Sequence, residues 1–306
     1  MKRDFLAITD LSGEELSQMI RYAQELKRMR QAGQSPDPLR DMTVGCIFHK
    51  PSLRTRISFE TGIYELGGNS LYITKDEIDL GKRESIEDAA RVLSRYLGMI
   101  VIRTFSHDDV VKLTQFASMP VINALTDLLH PCQVMGDLMT IKERYGTIEG
   151  IRIAFLGDGN NVANSWINAA RRVKLNLTIG TSKETLPNQE ILQAAQEEGL
   201  SDVRIVHDPI EAVSGAQVVY TDVWASMGQK DKAKEKAKLL KAFQVNEELL
   251  KHADPDFIVL HCLPAERGRE ITDEVMDGPH SAVFDQAENR LHIQKAIMSR
   301  LIEWSR

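Results

Sequence analysis

The chain has 306 residues, with 38 Lys or Arg against 44 Asp or Glu, a formal charge of −6, 42% hydrophobic and 27% charged residues. That length suits two domains, each burying its own core, and the composition is that of a soluble globular protein. An acidic balance argues against nucleic acid as a partner, the longest apolar stretches fall far short of a membrane span, and three scattered cysteines (Cys46, Cys132, Cys262) suggest neither a disulfide framework nor a zinc knuckle. The first residues read as no signal peptide, so a cytoplasmic location is expected.

In chain order, Ser12 and Glu15 have capping-box spacing, and Leu16, Met19, Ile20, Ala23 and Leu26 mark one face of a helix reaching about residue 30. A Gly/Pro loop over 31–38 precedes an apolar strand over 44–48. Lys50-Pro51-Ser52-Leu53-Arg54-Thr55-Arg56 follows, and Phe59, Ile63 and Leu66 then continue at helical spacing to a Gly67-Gly68 stop. Two hydroxyls and two guanidiniums at the start of a helix suit a doubly charged phosphate, through backbone N–H groups, the helix dipole and bidentate arginine. A solvated surface for Arg54 and Arg56 is the competing reading.

A strand over 70–73 leads to a polar loop over 74–84. The helix opened by Ser85 should bury Ala89, Val92, Leu93 and Tyr96. Met99-Ile100-Val101-Ile102 is a buried strand ending on Arg103. A helix over 108–117, a short strand at Val121-Ile122 and a loop over 123–129 come next, and His130-Pro131-Cys132-Gln133 opens a helix to about Tyr145. The pattern restarts near Gly146. Strands are expected over 151–156, 177–179, 203–206, 217–220, 256–260 and 282–284. A helix over 163–173 follows a Gly157-Asp158-Gly159-Asn160-Asn161 turn, and a last helix spans 289–304. Strand and helix alternate throughout, which predicts an α/β fold of two doubly wound parallel-sheet domains, at 1–135 and 150–285, with the helix at 289–306 packing back on the first.

In such sheets ligands lie beyond the carboxyl ends of strands. Residues 52–56, Arg103, 130–133, 222–228 and 261–264 all stand there, so one site in the cleft between the domains is expected. Arg103 alone reads as readily as a surface ion-pair partner; beside a phosphate it could polarise an acyl oxygen. A neutral His130 with Gln133 can hold a planar amide-like group, though a capping histidine is the plainer alternative. The Gly157 turn lacks the third glycine of a dinucleotide fingerprint. Residues 229–241 carry six lysines against two acids with no interleaved aromatics, which reads as a solvated face. Their position after Ser226-Met227-Gly228 also suggests a lid.

Ser-Leu-Arg-Thr-Arg resembles the Ser-Thr-Arg-Thr-Arg carbamoyl phosphate motif of the aspartate/ornithine transcarbamoylase family, and His-Pro-Cys-Gln its His-Pro-x-Gln. The Asp222 to Gly228 stretch and His261-Cys262-Leu263-Pro264 are similar to motifs of the family's ornithine branch. The match runs in order from about residue 40 to Arg290.

The resemblance implies transfer of a carbamoyl group from carbamoyl phosphate to the δ-amine of L-ornithine, giving citrulline and phosphate, with no metal or cofactor. It places the phosphate on Ser52, Leu53, Arg54 and Thr55, with Arg56 supporting. Arg103, His130, Gln133, Cys262, Leu263 and Arg290 then surround the carbamoyl group. Asn161, Asp222, Ser226 and Met227, with Cys262, would hold ornithine. Arg103, His130, Asp222 and Cys262 would act in catalysis. A sister enzyme acting on putrescine or an N-acylated ornithine, or a non-catalytic anion-binding protein on the same fold, are the alternatives. Two departures stand out. Leu53 replaces the family's usual threonine, and Asp79 stands where the family's inter-subunit loop carries Gln or His, leaving Lys82 or Arg83 as the alternative contact. That loop is also why a homotrimer, or a multiple of trimers, is expected.

Overall fold

The computed structural model describes residues 2–78, 81, 84–225 and 233–305, among which lie two parallel sheets, of four and five strands. Asp79, Lys82, Arg83, Ser226, Met227 and the first four residues of the expected lid, 229–232, fall outside the described residues. The chain divides into two compact units, one of Met1–Gly136 with Asn289–Arg306, the other of Asp137–Glu288.

In the first unit, α1 (Gly13–Gln31) begins with both hydrogen bonds of the Ser12/Glu15 capping box. The sheet contains β1 (Thr43–Phe48), β2 (Asn69–Thr74), β3 (Met99–Arg103) and β4 (Val121–Leu125), in the order β2-β1-β3-β4. The inner strands are buried almost throughout, as a sheet covered on both faces requires. Helices α2 (Leu53–Glu65), α3 (Ile86–Leu93) and α4 (His107–Phe116) each start on a serine whose hydroxyl accepts a backbone N–H three residues on. The order reverses between β1 and β3, where Phe48 pairs with Arg103. The turn after β1 and the arginine ending β3 are therefore neighbours at the topological switch point.

Two sequence expectations differ here. The strand expected at Val121-Ile122 runs on to Leu125. The Asn123 backbone N–H donates to the Phe5 carbonyl and its side-chain amide to that of Leu6, so the N-terminal segment completes the pairing that a polar Asn had argued against. Helix α3 stops at Leu93, so Tyr96 lies beyond it and is exposed, and Val92, within the helix, is off the face that buries Ile86, Ala89 and Ala90.

In the second unit, β5 (Arg152–Leu156), β6 (Asn176–Gly180), β7 (Asp202–Val206), β8 (Val218–Thr221) and β9 (Ile258–His261) form a sheet ordered β7-β6-β5-β8-β9. Its switch point lies between β5 and β8, where Leu156 pairs with Thr221, and Thr221 in turn pairs with His261. Trp166 on α6 (Asn161–Ala170), Phe155 and Tyr220 pack together beneath this edge.

The strand expected at 282–284 is absent. The Val259 N–H donates to the His280 carbonyl and the Ala282 N–H returns to Val259, after which the chain turns into α12 (Val283–Ser305). Two ladder bonds hold the segment beside β9, and the apolar Ala282-Val283-Phe284 run then opens a helix instead. Helix α12 thus starts earlier than expected and carries the chain from the second unit into the first, as α5 (Pro131–Tyr145) does in the opposite direction.

Candidate active site

The chemistry-bearing residues form two half-sites, one at the switch point of each unit. In the first, Ser52 is the N-cap of α2, and its hydroxyl accepts the Thr55 N–H and donates to the Thr55 hydroxyl at 3.0 Å. Pro51 ends the strand-to-helix turn, and the free N–H groups of the first helical turn face the same end. Leu53 occupies the first helical position with its side chain 71% exposed, so its backbone rather than its side chain belongs to the turn.

Thr55 is buried, and its Oγ1 gathers two guanidiniums from distant parts of the chain. Arg103 donates through Nη1 at 3.3 Å and Arg290, on α12, through Nη2 at 2.8 Å. Gly136 lets the arginine come close: a Cβ there would stand 3.2 Å from Arg290 Cγ. Lys295, about one and a half helical turns beyond Arg290, forms a 2.6 Å ion pair with Glu65 and anchors α12 to the end of α2.

His130 and Gln133 are buried in this half-site. Burial, with the positive charges of Arg290 and Arg103, holds the His130 imidazole well below its usual pKa, so it is neutral at physiological pH. A neutral ring keeps one N–H to donate without adding a third charge. Beside the turn, Lys50 lies over the Phe105 ring at 4.5 Å and pairs with Asp127. Arg56 does not support the phosphate turn as expected. It pairs with Glu60 at 2.9 Å and stacks on Tyr72 at 3.8 Å, because a residue one turn into α2 projects toward β2 rather than toward the helix start.

The second half-site is acidic. Asp222 follows β8 and is nearly buried. Its Oδ1 accepts the Cys262 thiol at 2.8 Å and the Val223 N–H at 2.7 Å, and its Oδ2 accepts the Asn160 amide at 2.7 Å. Asn160, rather than Asn161, is the N-cap of α6 and touches Asp222; Asn161 is the helix's first residue. Burial pushes the Cys46 and Cys132 thiols up to about 12, whereas Cys262 is partly exposed.

The turn carrying Cys262 is held from behind. His261 is buried, its Nδ1 accepting the Leu263 N–H at 2.9 Å and its Nε2 facing Glu270 at 3.1 Å. With Nδ1 an acceptor, Nε2 carries the proton donated to the carboxylate. This ring holds Leu263 in a left-handed conformation, φ 56°, before a cis Pro264. The His261 N–H donates to Gln286, whose amide in turn donates to Asp137 at 2.7 Å. The nearest approach to a metal cluster among the described residues is Asp222, His261 and Cys262, whose ligand atoms lie within 4.8 Å of one another. Both nitrogens of His261 are already engaged, so two donors remain, fewer than a metal site requires.

Asp158, at the end of β5, and Lys236, on α9 (Ala233–Leu239), complete this half-site with an ion pair of 2.5 Å. Sequence reasoning singled out neither, because the aspartate sits in a Gly/Asn turn and the lysine in a lysine-rich run.

Chemically, the first half-site offers converging cationic and neutral donors around a helix N-terminus, suited to a phosphate and to an oxygen that gains charge. The second offers a carboxylate and a thiol, suited to an amine.

Residues 3–143 match the family model described as aspartate/ornithine carbamoyltransferase, carbamoyl-P binding domain, and residues 149–301 match its Asp/Orn binding domain. The chain is 49% identical to an ornithine carbamoyltransferase of Syntrophus aciditrophicus, covering 99% of this chain and 100% of that one. It is 48% identical to one of Thermococcus kodakarensis, over 97% and 95%. Its fold is similar to the ornithine carbamoyltransferase structure from Pyrococcus furiosus, with a TM-score of 0.92, 45% identity and coverage of 97% and 96%.

Proposed function

The chain belongs to the aspartate/ornithine carbamoyltransferase family, and on that premise we propose how its two half-sites divide the work. It is an enzyme that transfers the carbamoyl group of carbamoyl phosphate to the δ-amine of L-ornithine, giving L-citrulline and phosphate. The first unit takes the electrophile. The phosphate sits on the Ser52 hydroxyl, the first backbone N–H groups of α2, Arg54 and Thr55. Arg103 and the neutral His130 donate to the carbonyl oxygen, and Gln133 receives the carbamoyl NH2, with Arg290 and the Cys262 and Leu263 backbone completing the subsite.

The second unit takes ornithine. Its δ-ammonium has a pKa of about 10 in water and must lose a proton before it can attack. Asp222 draws it in, and neighbouring cations lower its pKa. Asn161, Ser226 and Met227 hold the amino-acid end. The amine lone pair attacks the carbamoyl carbon and the carbonyl pair moves to oxygen, where Arg103 and His130 stabilise it more than in the ground state. Collapse expels phosphate with its bonding pair, and a phosphate oxygen accepts the amine's proton.

The observation that carries this reading is the gathering of Arg103 and Arg290 on one Thr55 hydroxyl beside a neutral His130. Binding of an anion alone needs no such set of donors. Among the described residues no helix is long and apolar enough to cross a membrane; the cytoplasm, and arginine metabolism or a urea cycle, are the proposed setting. The assembly proposed is a homotrimer or a multiple of it. A citrulline colour assay with L-ornithine, putrescine and N-acetylornithine tests the reading. Ornithine should be the strongly preferred amine. Preference for either other amine, or carbamoyl phosphate binding without turnover, would overturn it.

A further inference from the structure

Of the six lysines in the run at 229–241, Lys236 is turned inward. Its side chain is 17% exposed and its Nζ meets Asp158 Oδ2 at 2.5 Å. A surface reading of the run does not account for that. Asp158 is itself nearly buried, at the carboxyl end of β5. Its backbone carbonyl accepts the Asn160 N–H, and the Asn160 side chain bonds Asp222. Asn160 thus links the Asp158 backbone to the Asp222 carboxylate, and the charge of Asp222, after burial, helps to raise the Asp158 carboxyl above its ordinary range, while Lys236 opposes the rise. Glu270 and Asp137 are further acids near Asp222; Glu270 is committed to the His261 ring and the Glu266 N–H, and Asp137 accepts the Gln286 amide.

We propose that Lys236 is a specificity-determining residue: by neutralising Asp158 inside the ornithine half-site, it sets the charge there to suit an amino acid with one net positive charge and to disfavour a diamine. The inference rests on the ornithine reading above. At neutral pH ornithine carries two ammonium groups and a carboxylate, whereas putrescine carries two ammonium groups alone. A half-site one unit more negative would repel the carboxylate of the first and attract the second. Lys236 does not touch the reacting atoms. Its effect is exerted through Asp158, nearly buried, where a charge is poorly screened.

The test uses the full chain at about pH 8.5, well above the carboxylate range. The readout is the KM for ornithine divided by the inhibition constant of putrescine against it. Lys236→Met should raise this quotient by about tenfold or more, the effect of one uncompensated buried charge. Asp158→Asn combined with Lys236→Met removes both charges and should bring it back to within about threefold of the parent, as should Lys236→Arg alone. An unchanged quotient in Lys236→Met overturns the proposal. So does an equal rise in the doubly substituted or arginine variant, since the lysine would then act through shape and not charge. If Lys236→Met does not fold, a rise beyond about threefold in the doubly substituted or the arginine variant overturns the proposal. Absence of citrulline formation by the parent enzyme would instead defeat the ornithine reading, a separate and distinguishable result.

Discussion

The two switch points solve one topological problem with opposite charge. After β1 and β3 the chain assembles buried cations, Arg103 and Arg290, on a threonine hydroxyl, and keeps its histidine neutral. After β5 and β8 it assembles buried acids, Asp158 and Asp222, and cancels one of them with Lys236. The first half is anchored by secondary structure, the start of α2 and the body of α12. The second is built on the turns after β5, β8 and β9, with the start of α6 and Lys236 of α9, and is braced from behind by His261, Glu270 and Gln286. The difference follows from what each must receive. A phosphate and a developing oxyanion call for fixed donors whose orientation is already set, while an amine needs a carboxylate beside it and a place to shed its proton.

Substitutions on each side should separate these roles. Arg103→Met removes a donor that the proposed mechanism aims at the reacting oxygen, and kcat should fall about a thousandfold in steady-state assays with the fold retained. Asp222→Asn should lower kcat/KM for ornithine about a hundredfold while carbamoyl phosphate binding, followed by calorimetry, stays within a factor of two or so. A matching loss of carbamoyl phosphate affinity would erase the division between the halves.

Thr55→Val leaves two buried guanidiniums without their shared acceptor. An unmade buried hydrogen bond costs about 1–3 kcal/mol, so carbamoyl phosphate affinity should drop about tenfold or more and the melting temperature should fall. The pH dependence of stability isolates His130. Its folded pKa lies below the unfolded value of about 6.5, so its contribution is present above that pH and lost as the pH falls, by at most ~1.4 kcal/mol per unit. Denaturant titrations at pH 7 and pH 5 should therefore show a smaller loss for His130→Gln than for the parent. The smallest effect is expected for Leu53→Thr. Because that side chain points to solvent, restoring the family's usual residue should change the carbamoyl phosphate KM by no more than about twofold. A larger gain would mean the missing hydroxyl matters.

Much of the fold was readable because its signals are local. Capping serines, apolar strands and helical spacing each depend on a few neighbouring residues, and Ser12 and Ser85 both cap as their spacing implied. The readings that failed depend on distant partners. Asn123 lies in a strand because residues 5 and 6 supply its hydrogen bonds, and Arg56 turns away because Tyr72 and Glu60 are within its reach. Tyr96 is exposed because its apolar periodicity continues past the end of α3 at Leu93.

By itself the sequence determined which residues could carry the chemistry, since a phosphate turn, a helix-opening histidine and a strand-end cysteine turn are short motifs whose residue types have few other uses. Tertiary structure alone decided how those residues are charged and aimed. Placing Arg290 on the hydroxyl of Thr55, drying His130 into its neutral form and folding Lys236 onto Asp158 join residues up to 235 positions apart. Electrostatics and hydrogen bonding depend on distance in space and on burial, and neither is written in the spacing along a chain.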